Sequence, residues 1–269
     1  MCYLKDWQIG LSLVIAVVVL SPVSAWADPM AVRLFSPGVT QAGAGPMGAS
    51  ALQVERFDGM AARPGPFYDT KFGGGPIGGT YSGAFNLLAA DQYGGAGGTG
   101  TYIASARSQS GYTLSLRHDA TIPGVNFFGL DVSALDGGNT LTFYRNLHPV
   151  AIFTAADFAR LLGPCGGGAY CGNPATGQNQ NEAYGFISFT DQTGLFDQVG
   201  FTQTTGGGLF ESDNHTVAYV TPTAMSGTVD VPEPQTAAIL GLSLVAMAGY
   251  GLAWPRRGTL RAVARLGGK

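Results

Sequence analysis

Strict alternation governs the middle of this sequence. Tyr112, Leu114 and Leu116 are separated by Thr113, Ser115 and Arg117, the period of two that sends one strand face to a core and the other to water. Phe128, Leu130 and Val132 alternate in the same way with Gly129, Asp131 and Ser133. Leu52–Phe57, Leu141–Tyr144, Tyr184–Phe189, Val199–Thr202 and Thr216–Val220 are further short apolar runs bounded by Gly, Asp and Asn clusters. They recur roughly every 10–15 residues with no long helical period, which predicts an all-β, jelly-roll-like β-sandwich of about 8–12 strands. Its span is residues 49–221. The turn Asp136-Gly137-Gly138-Asn139 lies between two of the runs, so those two are expected to form a hairpin.

One short helix is expected near 155–162. Thr154 and Asp157 make a variant capping box, Phe158, Leu161 and Leu162 share one face, and Gly163-Pro164 ends the run. Composition excludes the alternatives to a folded body. Charged residues are 12% and aromatics 11%, the reverse of a disordered chain. The 42 glycines follow no three-residue period, which removes collagen. A net charge of −3 gives no basic footprint, so no nucleic-acid partner is expected. That net charge conceals a partition: residues 28–230 hold 15 acids against 8 bases, whereas the last fifteen residues hold five bases and no acid.

Both ends carry export features. Residues 1–27 have the form of a signal peptide: Lys5, then twelve apolar residues from Ile9 to Leu20, then Pro22. A bilayer takes about 20 helical residues, so this stretch is too short to span one. Ala25-Trp26-Ala27 offers signal peptidase its small-x-small pattern, which makes Asp28 the first mature residue. Residues 28–48, rich in Pro, Gly and Ala, read as a linker or irregular lead-in. At the other end Ala237 to Trp254 is eighteen residues without a charge. They make about 27 Å of helix, enough to cross a bilayer core. Tyr250 and Trp254 suit the interface, and Arg256 and Arg257 place this end on the cytoplasmic side.

Residues 222–230 link the body to a further pattern. Val231-Pro232-Glu233-Pro234, the apolar stretch 237–254, and Arg256-Arg257 follow in order. Pro232 and Pro234 hold the segment extended and keep the helix from running into it. This arrangement resembles the PEP-CTERM sorting domain over residues 231–257. The chain then runs on through a basic tail, residues 258–269. The body also resembles a family of exosortase-dependent surface proteins, through Asn126–Leu130, Leu135–Tyr144 and Phe210–His215. The resemblance implies an exosortase-like membrane transpeptidase as partner, a Gram-negative envelope, an inner-membrane-anchored precursor, and final placement at the cell surface or outside it. It supplies no reaction.

No catalytic constellation, cofactor or metal site is expected. Cys165 and Cys171 flank a loop of Gly and Tyr; an even pair in an oxidising compartment predicts a disulfide worth about 2 kcal/mol. Two thiols without a nearby His pair do not fill a zinc tetrahedron. Gly95–Gly100 matches G-x-G-x-x-G, but the following Thr101–Ser105 reads as strand where a phosphate site needs a helix. His118, His148 and His215 lack metal spacing and read as surface or turn residues. His118-Asp119 imitates a base and its orienter, with no serine in a nucleophile elbow. Asp191, Asp213 and Asn214 are oxygen donors suited to calcium, yet Asx turns explain the same residue types.

Three functions fit these features. The first is a non-catalytic secreted or surface protein associated with exopolysaccharide or biofilm matrix. The second is a carbohydrate-binding module, for which Tyr68, Tyr81, Tyr93, Tyr102 and Tyr170 are candidate stacking rings in Gly-rich loops. The mature body holds no Trp, since the three are Trp7, Trp26 and Trp254. The third is a polysaccharide hydrolase or lyase with carboxylates assembled in space.

Overall fold

In the computed structural model, which describes residues 30–43, 49, 52–107 and 109–221, the alternating segments become strands of two antiparallel sheets. In chain order these are β1 (Met30–Leu34), β2 (Gln53–Glu55), β3 (Arg63–Pro64), β4 (Phe67–Thr70), β5 (Ile77–Gly83), β6 (Phe85–Ala89) and β7 (Thr101–Ser105). Then come β8 (Gly111–His118), β9 (Phe127–Ser133), β10 (Asn139–Arg145), β11 (His148–Thr154), helix α1 (Ala155–Leu162), β12 (Gly185–Asp191), β13 (Gln198–Gln203) and β14 (Glu211–Ala218). The first sheet runs β1-β12-β9-β14-β7-β6-β3, with β2 also paired to β14. The second runs β11-β10-β13-β8-β5-β4.

The chain repeatedly crosses between sheets, and aromatic rings fill the space it encloses. On β8, Tyr112 and Leu114 are buried while Thr113, Ser115 and Arg117 face outward, as the alternation requires. Tyr112 stacks on Phe201 of β13 with centroids 4.6 Å apart. Phe128 of the first sheet meets Phe143 and Phe201 of the second edge-on, at 6.1 and 6.0 Å. Each buried Phe contributes roughly 2–3 kcal/mol of transfer free energy. At one end of this core α1 lays Phe158 against Phe189, 6.3 Å between centroids. Asp157 fixes the start of α1 by accepting hydrogen bonds from the Thr154 backbone N–H at 2.9 Å and its hydroxyl at 2.7 Å. Gly163, at φ 82°, ends it.

The first sheet is buried on its outer face as well. Phe127, Phe186, Ala218, Val220 and Ala42 form a second apolar cluster there, packed by Phe35, Val39 and Leu52. Every residue of β9, β12 and β14 is buried.

Three expectations need correction. Met30–Leu34 is not an irregular lead-in; it is edge strand β1, paired with β12 from Met30↔Asp191 to Leu34↔Ile187. The Pro and Gly content of 28–48 masks the five-residue run MAVRL. The described residues hold fourteen strands rather than 8–12, the surplus being short pieces such as β2 and β3. The runs around Phe128 and Phe143 do not form a hairpin: β9 and β10 lie in opposite sheets, and the Asp136–Asn139 turn carries the chain across the sandwich. The hairpin there is β10–β11, turned at Asn146 and Leu147, with φ of 51° and 67°. Both lie in the left-handed region that a tight hairpin turn demands, and Leu at such a position gives no signal in the sequence.

The signal segment with Ala25, Ala27 and Asp28, the linker 222–230, the sorting segment with Val231, Pro232, Glu233, Pro234, Arg256 and Arg257, and the tail 258–269 lie outside the described residues. So does the expected membrane span 237–254.

Candidate functional site

Polar groups concentrate on β14, whose sequence Glu211-Ser212-Asp213-Asn214-His215-Thr216 is buried throughout. Period two would place Ser212 and His215, three residues apart, on opposite faces. The pairing of β14 with β9 shifts register between Asp213 and Thr216, where Asn214 takes φ 49°. This irregularity resets the phase of the strand, and Ser212 and His215 both turn into the core. Asn is among the few residues that tolerate this conformation, and its Nδ2 is held by the carbonyl of Thr40 at 2.7 Å.

Inside, four side chains form a closed string. Tyr112 Oη lies 3.1 Å from Ser212 Oγ, Ser212 Oγ 2.9 Å from His215 Nε2, and His215 Nδ1 2.9 Å from Tyr81 Oη. The rotation of the hydroxyls decides which ring nitrogen carries the proton. A serine against a histidine held by a third group is the arrangement of an activated nucleophile. Here it is sealed. His215 is 0% exposed, stacks on Phe201 at 5.0 Å and meets Phe57 and Phe128 edge-on at 5.4 Å. Burial pushes its pKa down to about 3, so the ring stays neutral. The string satisfies polar groups within an aromatic core and offers a substrate no approach.

The other face of β14 carries acids. Asp213 pairs across to Asp131 of β9, and Glu211 to Ser133. Burial raises Glu211 to about 9, and the nearby charge of Asp136 adds to this. Its Oε2 is buried with no hydrogen-bond partner. Asp213 is raised to about 7 by burial, opposed by the amides of Ala96 and Asn214, which donate to it at 2.8 and 2.7 Å. Burial also lifts Asp131 well above the carboxylate range, with the charge of Asp213 acting in the same direction. The glycine-rich stretch 95–100 thus turns one backbone amide onto a carboxylate of its own chain and runs into strand β7.

The other expected residues are dispersed. Cys165 and Cys171 are joined in a disulfide with Cα atoms 5.4 Å apart. His118 and His148 are exposed, whereas His215, expected at a surface or turn, is at the centre of the core. The phase shift at Asn214 is the reason, and no pattern in the sequence announces it. Asp191 closes an Asx turn onto the amides of Thr193 and Gly194, at 3.0 and 2.7 Å, and pairs with Arg145 at 2.8 Å. Among the described residues no three of His, Cys, Asp and Glu stand together to hold a metal ion. Of the expected tyrosine platforms, Tyr81 and Tyr102 are core residues, and Tyr68 stacks on Tyr81 at 5.7 Å. Tyr170 gives its hydroxyl to the carbonyl of Phe35 at 2.8 Å. Tyr93 alone of the five is well exposed. A cleft of about 290 Å³ opens where Leu116, His118, Val125, Arg145, Phe196 and Asp197 meet.

The class defined by this architecture is an all-β, two-sheet antiparallel sandwich with one short helix. No family model, no curated protein and no solved structure matches the chain.

Proposed function

We propose that the chain is an exported, non-catalytic surface protein with a jelly-roll-like body. An exosortase-like transpeptidase sorts and cleaves it at Val231–Pro234, and the body associates with exopolysaccharide or biofilm matrix. The observation that carries this is the order V-P-E-P, eighteen uncharged residues, Arg256-Arg257. The Cys165–Cys171 disulfide supports an oxidising destination. Among the described residues the Ser212–His215 contact is closed off from solvent and offers no nucleophile to a substrate.

Glu233 is the only charge between Asp230 and Arg256, which makes it the handle an enzyme at the outer membrane face would read. Arg256 and Arg257 each resist crossing by roughly 3 kcal/mol at the bilayer centre, so release requires cleavage. Glu233→Ala is expected to be exported normally and to accumulate as a full-length, membrane-bound form, followed by immunoblot of membrane and surface fractions. Wild-type-like processing of that variant would overturn the sorting role.

A further inference from the structure

The outer face of the second sheet is built unlike that of the first. Its registers align Tyr144, Gln198, Ser115, Thr80 and Asp69 in one row across β10, β13, β8, β5 and β4. Four strand spacings of about 4.8 Å make this row about 19 Å long. The neighbouring row places Gly200 on β13 between Thr142 and Thr113. A methyl group at Gly200 would stand 3.1 Å from Tyr144 Cε2 and 3.6 Å from its hydroxyl. The ring is therefore laid down across bare backbone, in the space a side chain would fill, and it stays half exposed. Glycine inside a strand marks such a close approach.

The rest of the row is hydroxyl and amide. Gln198 Nε2 donates to Ser115 Oγ at 3.3 Å, and Arg117 donates to Thr80 Oγ1 at 3.0 Å. Thr80 gives its hydroxyl hydrogen to Asp69 and keeps acceptor capacity only, whereas Ser115, an acceptor from Gln198, keeps its own hydrogen to donate. Arg117, two residues along β8 from Ser115, also lies 3.7 Å from Asp69, so these two charges cancel and give a polyanion no purchase. Of the large exposed apolar side chains, Phe67 at 66% and Ile152 at 46% stand on the two edge strands β4 and β11, and Leu147 at 80% on the turn that joins β10 to β11, all at the margins of this face. An interface with protein needs its apolar residues at the centre of the patch.

We infer that this face binds a linear, neutral polysaccharide laid across the strands. Tyr144 is the platform for the C–H face of one sugar ring, and Gln198, Ser115 and Thr80 read hydroxyls along the chain. Alternating donors and acceptors match sugar hydroxyls, which both give and take hydrogen bonds, and an aromatic ring with a polar tip suits a surface that is half apolar and half wet. The inference names the surface for the matrix association proposed above, and rests on that part of the function but not on sorting.

The test uses the full chain in detergent solution, with linear neutral hexasaccharides of glucose and of mannose, and a uronic-acid hexasaccharide as the charged comparison, read by calorimetry. Wild type should bind at least one neutral glycan, and Tyr144→Ala should weaken that binding about tenfold, the effect of losing one good contact. Tyr144→Phe should retain it. Gln198→Ala, at a half-exposed site, should weaken it several-fold and serves should Tyr144→Ala melt early. Absence of neutral-glycan binding, preference for the uronic acid, or wild-type binding by both Tyr144→Ala and Gln198→Ala overturns the inference. So does a wild-type dimer by light scattering that Tyr144→Ala dissolves, since the occupant would then be a second copy. Matrix retention of Tyr144→Ala equal to wild type would reject this face and leave the association itself standing.

Discussion

Replacing Glu211 by Gln should make the protein more stable, by an amount that grows with pH. Glu211 is 6% exposed, its Oε2 has no partner, and burial raises its pKa from 4.5 to about 9. The folded protein therefore holds this proton up to about pH 9, while the unfolded chain releases it above pH 4.5. Between those values the unfolded state binds fewer protons, so stability falls as pH rises, by about 1.4 kcal/mol per pH unit. Gln keeps the neutral shape and removes the titration. From pH 5 to pH 8 the advantage of Glu211→Gln over wild type should thus widen by about 4 kcal/mol, an upper bound on the linkage. Near pH 4.5 both forms carry a neutral, under-bonded side chain and should differ little. Urea unfolding of the two proteins at pH 5, 6.5 and 8, with equal m values, measures the difference directly. Parallel stability profiles would refute the reasoning, because they would mean Glu211 reaches water or a cation in the folded state.

Two further perturbations probe the same scaffold. Ser212→Ala deprives His215 Nε2 and the Tyr112 hydroxyl of their shared neighbour, and an unsatisfied buried polar group costs about 1–3 kcal/mol; a lower urea midpoint with an unchanged slope is expected, and an unchanged midpoint would show that the string is not holding the core. Cys165→Ser should cost about 2 kcal/mol, as a short loop loses its cross-link, whereas exported wild type should present no alkylatable thiol at Cys165 or Cys171.

The alternation at Tyr112–Arg117 was sufficient to place β8, because a strand with one face in the core and one in water writes its period into the residue types. The same holds for α1, whose cap and apolar face are local. The disulfide was legible from the even pair, its short spacing and the oxidising compartment that the export features imply. What stayed hidden depends on partners far along the chain. β9 is covered on both faces, so Gly129, Asp131 and Ser133 look solvent-facing and are not. The sheet to which a strand belongs is set by packing, so Asp136–Asn139 reads as a hairpin turn when it is a crossing. Ser212 and His215 meet only because Asn214 adds a phase shift that residue types do not encode. Tyr144 reads as one more strand residue, because its placement depends on Gly200, a residue 56 positions further on.

The position of β14 also orders events in time. In the first sheet β1, β12 and β9 lie on one side of it and β7, β6 and β3 on the other. Without β14 these are two unconnected half-sheets. Yet β14 is the last strand among the described residues to be synthesised, and in a chain that emerges from its N-terminus it is the last to arrive. Local pairings such as β4–β5, β6–β7 and β10–β11 can form early at little loop-closure cost. Closure of the sandwich must wait for Glu211–Ala218 to slot between edges that until then expose unpaired N–H and C=O groups. The chain is therefore only partly zipped for almost the whole length of the body, and the final strand acts as the latch.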